Sequence, residues 1–184
     1  CGSAGTGKTS TLRALIDTIS NRDGEEVVQL AFTGRAVQVL KRKTNREAKT
    51  VHRFLMDNNW LWEKTYLPKR TGGNTQDVTN LVIDEASMLD LQLFSLLLRS
   101  INWKRLKRVI FVGDPFQLPP IGPGRLFVDI LSALNPNNDA NCEQVGFLSR
   151  NVRQLSENSQ CIELASAFRD APLGDISDVI NDIY

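Results

Sequence analysis

The chain opens with CGSAGTGKTST, in which Gly2, Gly7, Lys8 and Thr9 satisfy the pattern G-x-x-x-x-G-K-[ST]. No other feature restricts the fold as much. A loop of this kind works where a buried strand turns into a helix, because its glycines let successive backbone N–H groups converge on phosphate oxygens at the helix N-terminus. Residues Gly2, Ser3, Ala4, Gly5, Thr6, Gly7, Lys8, Thr9 and Ser10 are therefore expected to cradle ATP. Lys8 would reach the β- and γ-phosphates, and Thr9 would ligate Mg2+. Leu12, Leu15, Ile16 and Ile19 recur at helical spacing directly afterwards, which disfavours a chance glycine-rich turn. Only Cys1 stands where the feeding strand belongs.

Beyond the loop, short apolar runs alternate with helical patterns. Strands are expected at Val27–Phe32, Leu81–Asp84, Val109–Val112 and Gln144–Leu148, and helices at Gly34–Lys43, Asp90–Ile101, Arg125–Leu134 and Glu157–Phe168. Such alternation predicts an α/β fold, a parallel sheet with helices on both faces. At 184 residues the chain can form one domain with a substantial core. One stretch breaks the rhythm: between His52 and Leu81, two tryptophans and a tyrosine flank a Gly72-Gly73-Asn74 turn signal. Read alone, it is either a small β-hairpin standing off the sheet or an ordinary surface loop.

Two further motifs carry chemistry. LVIDEASML ends a buried strand in adjacent carboxylates, so Asp84 can hold Mg2+ while Glu85 polarises an attacking water. The plain alternative for such a pair is a helix N-cap. In VGDPFQLPPIGPG, Gln117 follows the end of another strand, at the edge where ligands sit in open parallel sheets. A glutamine there can bond both the γ-phosphate and the water, reporting whether ATP or ADP is bound. Prolines 115, 119, 120 and 123 stiffen that segment.

GSAGTGKT, AFTGRAVQVL, KTVHRFL, LVIDEASML, GDPFQLPPIGPG and NVRQ resemble, in this order, the motifs of superfamily 1 DNA helicases, most of all the RecD-like branch. The match runs from Gly2 to about Gly174. The resemblance implies a RecA-like P-loop NTPase that moves 5′ to 3′ on single-stranded DNA, with ATP held between two motor domains. It keeps the roles of Lys8, Thr9, Asp84, Glu85 and Gln117. It also implies that Thr33, Gly34, Arg35 and His52 face the DNA, and that Arg153 approaches the γ-phosphate. The plain alternative for Arg153 is a surface charge. Phe32 stands where relatives carry proline, and either stacks on a base or ends a strand. Val152 occupies a position that is often aromatic.

This reading places a first motor domain over 1–147, with an insert at about 56–80, and a segment over 148–184 leading toward a second motor domain beyond residue 184. Loss of the loop's own strand would leave a hole in the core, so the sequence is expected to be part of a longer protein. Three cysteines without a C-x-x-C pair fit a reducing cytoplasm, as in a bacterial or phage-infected cell. No apolar run approaches the roughly 20 residues of a membrane span. Net charge is +1, so only local clusters bear on a polyanionic partner; Arg35–Lys49 and WKRLKR at 103–108 are two. Two other functions compete: an ATP- and DNA-binding module that hydrolyses nothing unaided, and a P-loop kinase of a small metabolite. The kinase has no natural use for GDPFQLPPIGPG.

Overall fold

Hydrophobic spacing, capping residues and turn chemistry explain most of the observed elements. The computed structural model describes residues 1–3, 5–21, 25–69, 73–137, 139 and 142–149. Ala4, Gly72, Val152, Arg153 and the helix expected at 157–168 lie outside the described residues.

Helix α1, Lys8–Ser20, buries Leu12, Ile16 and Ile19, one stripe at i, i+4 and i+7. Leu15, counted in the same pattern, faces outward. Strand β1, Val27–Ala31, is followed by Thr33, whose Oγ1 accepts from Ala36 N and caps α2, Gly34–Thr44. Lys41, Arg42 and Lys43 fill the last turn of α2, where cations suit the helix dipole. Two short elements unforeseen in the sequence follow: β2, Ala48–Thr50, and α3, Val51–Asp57. Thr50 caps α3 by accepting from Arg53 N. Strand β3, Asn80–Asp84, is buried throughout and leads through a 3-10 turn, Ala86–Met88, to α4, Leu91–Arg99, capped by Asp90. Strand β4, Arg108–Phe111, and α5, Leu126–Leu134, complete the set.

The four strands form a parallel sheet in the order β2-β1-β3-β4. This is the RecA-like α/β architecture, with helices on both faces. Along β3, Leu81 and Ile83 pack with Leu30, Leu55, Leu97 and Phe127 on the α3–α4 side. Val82 points the other way, into Leu12, Ile16 and Leu40 of α1 and α2. Burial of both faces is why β3 reads as a continuous apolar run. Gly113, just past β4, passes so close to Phe127 that a Cβ there would lie 3.0 Å from its ring.

Two sequence expectations take a different form. Residues 144–148 do not make a strand; they meet the chain's first residues through one parallel bridge, Gly2 with Leu148, supported by Leu148 N donating to Cys1 O at 2.9 Å. Cys1 and Gly2 thereby run between that segment and Gly113, whose O accepts from Gly2 N at 3.2 Å. In the insert, the chain reverses through the turn at 63–65, closed by one antiparallel bridge between Leu61 and Pro68. Trp60 is no outward aromatic: it is buried in the main core, with its indole N–H donating to Asn74 O at 3.0 Å.

Candidate functional site

Parallel topology brings the ends of β1, β3 and β4 to one edge, and the sequence candidates gather there. In the loop, Gly5 and Gly7 adopt φ 86° and 85°, the left-handed region that a side chain rarely tolerates. Thr6 Oγ1 donates to Ser3 O at 2.8 Å, closing the loop on itself. Lys8 Nζ lies over the same turn, donating to Gly2 O at 2.6 Å and Ser3 O at 2.8 Å. Helix α1 begins at Lys8 with no side-chain cap and no acid in its first turn, so the dipole at this end favours an anion. Gly2 and Ser3 also share the wall of a cavity of about 630 Å3 with Pro115 and Phe116. The loop and the proline-rich segment are thus neighbours.

Asp84 ends β3 only 8% exposed, its Oδ1 accepting from Glu85 N at 2.9 Å. Burial pushes its carboxyl above the ordinary aspartate range, and the adjacent Glu85 charge adds to this. The backbone bond and the Lys8 charge pull the other way. Thr9 and Asp84 are hard oxygen donors of the kind Mg2+ takes. Among the described residues no group of three His, Cys, Asp or Glu converges.

Glu85 sits at φ 55°, ψ 37°, a left-handed backbone that costs a residue with a Cβ about 1–2 kcal/mol. Its Oε2 accepts from Thr33 Oγ1 at 2.7 Å. The strained residue is therefore tied to the end of β1. Gln117 is exposed, and its Oε1 accepts from the buried Ser87 Oγ at 3.2 Å, linking the proline-rich segment to the turn after Glu85. Asp114, also buried, holds the segment's start by accepting from Phe116 N at 3.0 Å.

On the β1 side, Gly34 and Arg35 are exposed in the first turn of α2. Phe32 meets His52 edge-on at 5.9 Å, and His52 meets Tyr66 at 5.8 Å, a row of three rings. Burial lowers the His52 pKa, against the raising effect of Asp90. Tyr66 and Ser87 were not among the sequence candidates. Ser87 lies inside DEASM, three residues after Asp84, and that spacing is the one signal that could have marked it.

A family model described as "AAA domain" matches residues 1–175. The chain belongs to that family. Within it, this is a superfamily 1 DNA-helicase-like P-loop NTPase domain of the RecD/Pif1 branch. It is 36% identical over 123 residues to the ATP-dependent RecD2 DNA helicase of Deinococcus radiodurans, covering 67% of this chain and 16% of that protein. It is 32% identical over 125 residues to the ATP-dependent DNA helicase dda of Enterobacteria phage T4, covering 67% of this chain and 28% of that one. The solved Pif1 helicase of Candida albicans superposes with a TM-score of 0.56 at 24% identity, over 98% of this chain and 42% of its own. The domain thus spans less than a third of these curated relatives, and the narrower RecD-like assignment does not separate from Pif1.

The basic clusters fall differently from the sequence expectation. In AAA-domain residues 35–49 the sequence shows only Glu47 opposing the cations. In the fold Lys41 pairs with Glu47, Lys49 with Asp57 and Arg46 with Asp17. Lys107 and Arg108 of WKRLKR both bind Glu25, at the opposite end of the sheet from Asp84. Among the described residues no helix is long and apolar enough to cross a membrane.

Proposed function

We propose that this domain is the first motor domain of an ATP-dependent DNA helicase, coupling ATP hydrolysis to 5′-to-3′ movement along single-stranded DNA and to unwinding. One observation carries the reading: Glu85 lies at a single sheet edge with the phosphate loop to one side and Thr33, Gly34 and Arg35 to the other. Homology to enzymes named ATP-dependent DNA helicases supports it.

In this reading residues Gly2 to Ser10 hold the triphosphate, with Lys8 turning from the loop carbonyls to the β- and γ-phosphates. Thr9 and Asp84 would hold Mg2+, which would neutralise phosphate charge when bound. Glu85 takes a proton from the water whose oxygen bonds the γ-phosphorus, while the bond to the ADP oxygen breaks. Gln117 reports the γ-phosphate to the strand side through Ser87. Phe32, Thr33, Gly34, Arg35 and His52 meet the strand. Arg153 and a second motor domain beyond residue 184 complete the nucleotide site, with 1–147 as the first domain and 148–184 as the lead into the second. Exposed Phe116, Leu118 and Ile121 on the stiff segment give that second domain an apolar surface to meet.

Steady-state ATP turnover with and without single-stranded DNA tests the proposal. The helicase reading expects strong stimulation by the strand. ATP and DNA binding without turnover in the longest available form of the protein would favour the passive module, and turnover indifferent to DNA would favour the kinase.

A further inference from the structure

At the end of the sheet opposite Asp84, an exposed ring stands among cations. Trp103 follows α4 and is 56% exposed. Its position is nonetheless fixed, because the indole N–H donates to Leu98 O at 3.1 Å. The other two rings of this kind have company: Lys69 Nζ lies 4.6 Å over Trp62, and Tyr66 meets His52. Among the described residues neither a ring nor a cation stacks on Trp103. A tryptophan pinned by its polar edge while its face stays in water loses little freedom on binding, and tryptophan is among the residue types most enriched in binding hot spots.

The turn around Trp103 is held by Asn102. Its Oδ1 accepts from Lys104 N at 3.2 Å, its O accepts from Arg105 N at 3.0 Å, and its Nδ2 donates to Asp77 Oδ1 at 2.8 Å. Lys104 and Arg105 are exposed on this turn, and among the described residues neither enters an ion pair. Lys107 and Arg108, next along the chain, are satisfied by Glu25. WKRLKR thus holds four cations and no acid, and the fold leaves the pair beside Trp103 facing water.

Such a surface suits a polyanion that also carries an apolar group, and the number of free charges decides which kind. Electrostatic binding to nucleic acid draws its strength from counterions released at each neutralised phosphate, with about 6–10 contacts in a strongly salt-dependent binder. Lys104 and Arg105 supply a small part of that. An acidic polypeptide with one aromatic side chain uses the surface in full. Its carboxylates meet Lys104 and Arg105, and its ring covers the open face of Trp103. We propose that Trp103, Lys104 and Arg105 form a docking site for an acidic, aromatic-bearing peptide segment of a partner protein. The site tethers that partner at the opposite end of the sheet from Thr33, Gly34 and Arg35, and it does not rest on the ATPase reading.

The test is fluorescence anisotropy of a fluorescein-labelled peptide, Asp-Asp-Glu-Phe-Asp-Asp, titrated with the longest available form of the protein. Wild type is expected to bind it saturably. Trp103→Ala should weaken binding by at least about tenfold, as should replacing the peptide's phenylalanine by glycine. Lys104→Glu with Arg105→Glu should abolish binding, whereas Lys104→Arg with Arg105→Lys, which keeps both charges, should retain it. Turnover of ATP and affinity for a single strand should match wild type in every variant. Failure to saturate by about 1 mM peptide overturns the proposal. Equal binding by the charge-reversed variant, or by the peptide without its ring, overturns it too; the peptide comparison uses wild-type protein and so decides the matter even where a variant folds poorly. A single-stranded oligonucleotide that displaces the peptide and itself binds the charge-reversed variant less tightly would give the surface to nucleic acid instead. A protein without ATP turnover would end the helicase reading and leave the peptide result standing.

Discussion

The two ends of the sheet treat charge in opposite ways. At the end where β4 begins, Lys107 and Arg108 close on Glu25 at 3.2 and 3.0 Å, and cations and acid satisfy one another. At the other end, Asp84 accepts a backbone N–H and Glu85 accepts a hydroxyl. Two carboxylates side by side, one buried and one on a left-handed backbone, are held by dipoles. An arrangement optimised for stability would not look like this. The first end pairs its charges within the fold, and in the proposed function the second keeps its charge for ligands.

The largest effects should come from removing that available charge. Glu85→Gln is expected to keep ATP affinity while lowering turnover by roughly 10²–10⁴, the range for losing a positioned base. Lys8→Ala should instead lose ATP affinity itself. Nucleotide titration beside steady-state turnover separates the two, and a Glu85→Gln protein with normal turnover would remove Glu85 from the mechanism.

Asp84→Asn sharpens the contrast through stability. Burial raises the Asp84 pKa, so the fold prefers the neutral acid. Such a group contributes fully below its unfolded pKa, and that contribution is lost as pH rises through the folded pKa. A permanently neutral asparagine should therefore raise Tm at pH 7 in metal-free buffer, and the gain should vanish on acidification below the ordinary aspartate range. Mg2+-dependent nucleotide binding should weaken in the same variant. A Tm that drops at pH 7 would show that Asp84 is a structural charge.

How much of this was legible before the fold was seen depends on length and on distance along the chain. β1, β3 and β4 and helices α1, α2, α4 and α5 announce themselves through continuous apolar runs or sustained helical spacing. β2 has three residues and α3 seven, too short for a periodicity to assert itself. Even so, Thr50 before Val51, Phe54 and Leu55 is a capped amphipathic turn that could have been read. In the insert the observed reversal uses Glu63, Lys64 and Thr65, three residues with no strong turn signal, whereas Gly72 lies outside the described residues. The candidate site residues could be nominated by type because phosphate loops and paired carboxylates need particular side chains. The Thr33–Glu85 bond could not, since it joins residues 52 apart, and no local rule reports a left-handed glutamate.

A smaller effect is expected at Gln117. Its bond to Ser87 is one neutral hydrogen bond, so Gln117→Ala should reduce strand stimulation by about fivefold while leaving strand affinity unchanged. Undiminished stimulation would detach the proline-rich segment from coupling. At the far end, Lys107→Ala should change turnover and strand affinity by no more than about twofold, since Lys107 is itself exposed and Arg108 still pairs with Glu25. A large loss of DNA binding there would break the division between the two ends.

The central claim is that nucleotide and strand meet across one sheet edge, and linkage makes it directly measurable. Fluorescence anisotropy of a labelled single strand should be titrated with the longest available form of the protein, without nucleotide, with Mg2+ and a non-hydrolysable ATP analogue, and with Mg2+-ADP. The account predicts that strand affinity differs between nucleotide states by at least about fivefold, the lower end of ordinary coupling between sites. Identical affinity in all three states would contradict it.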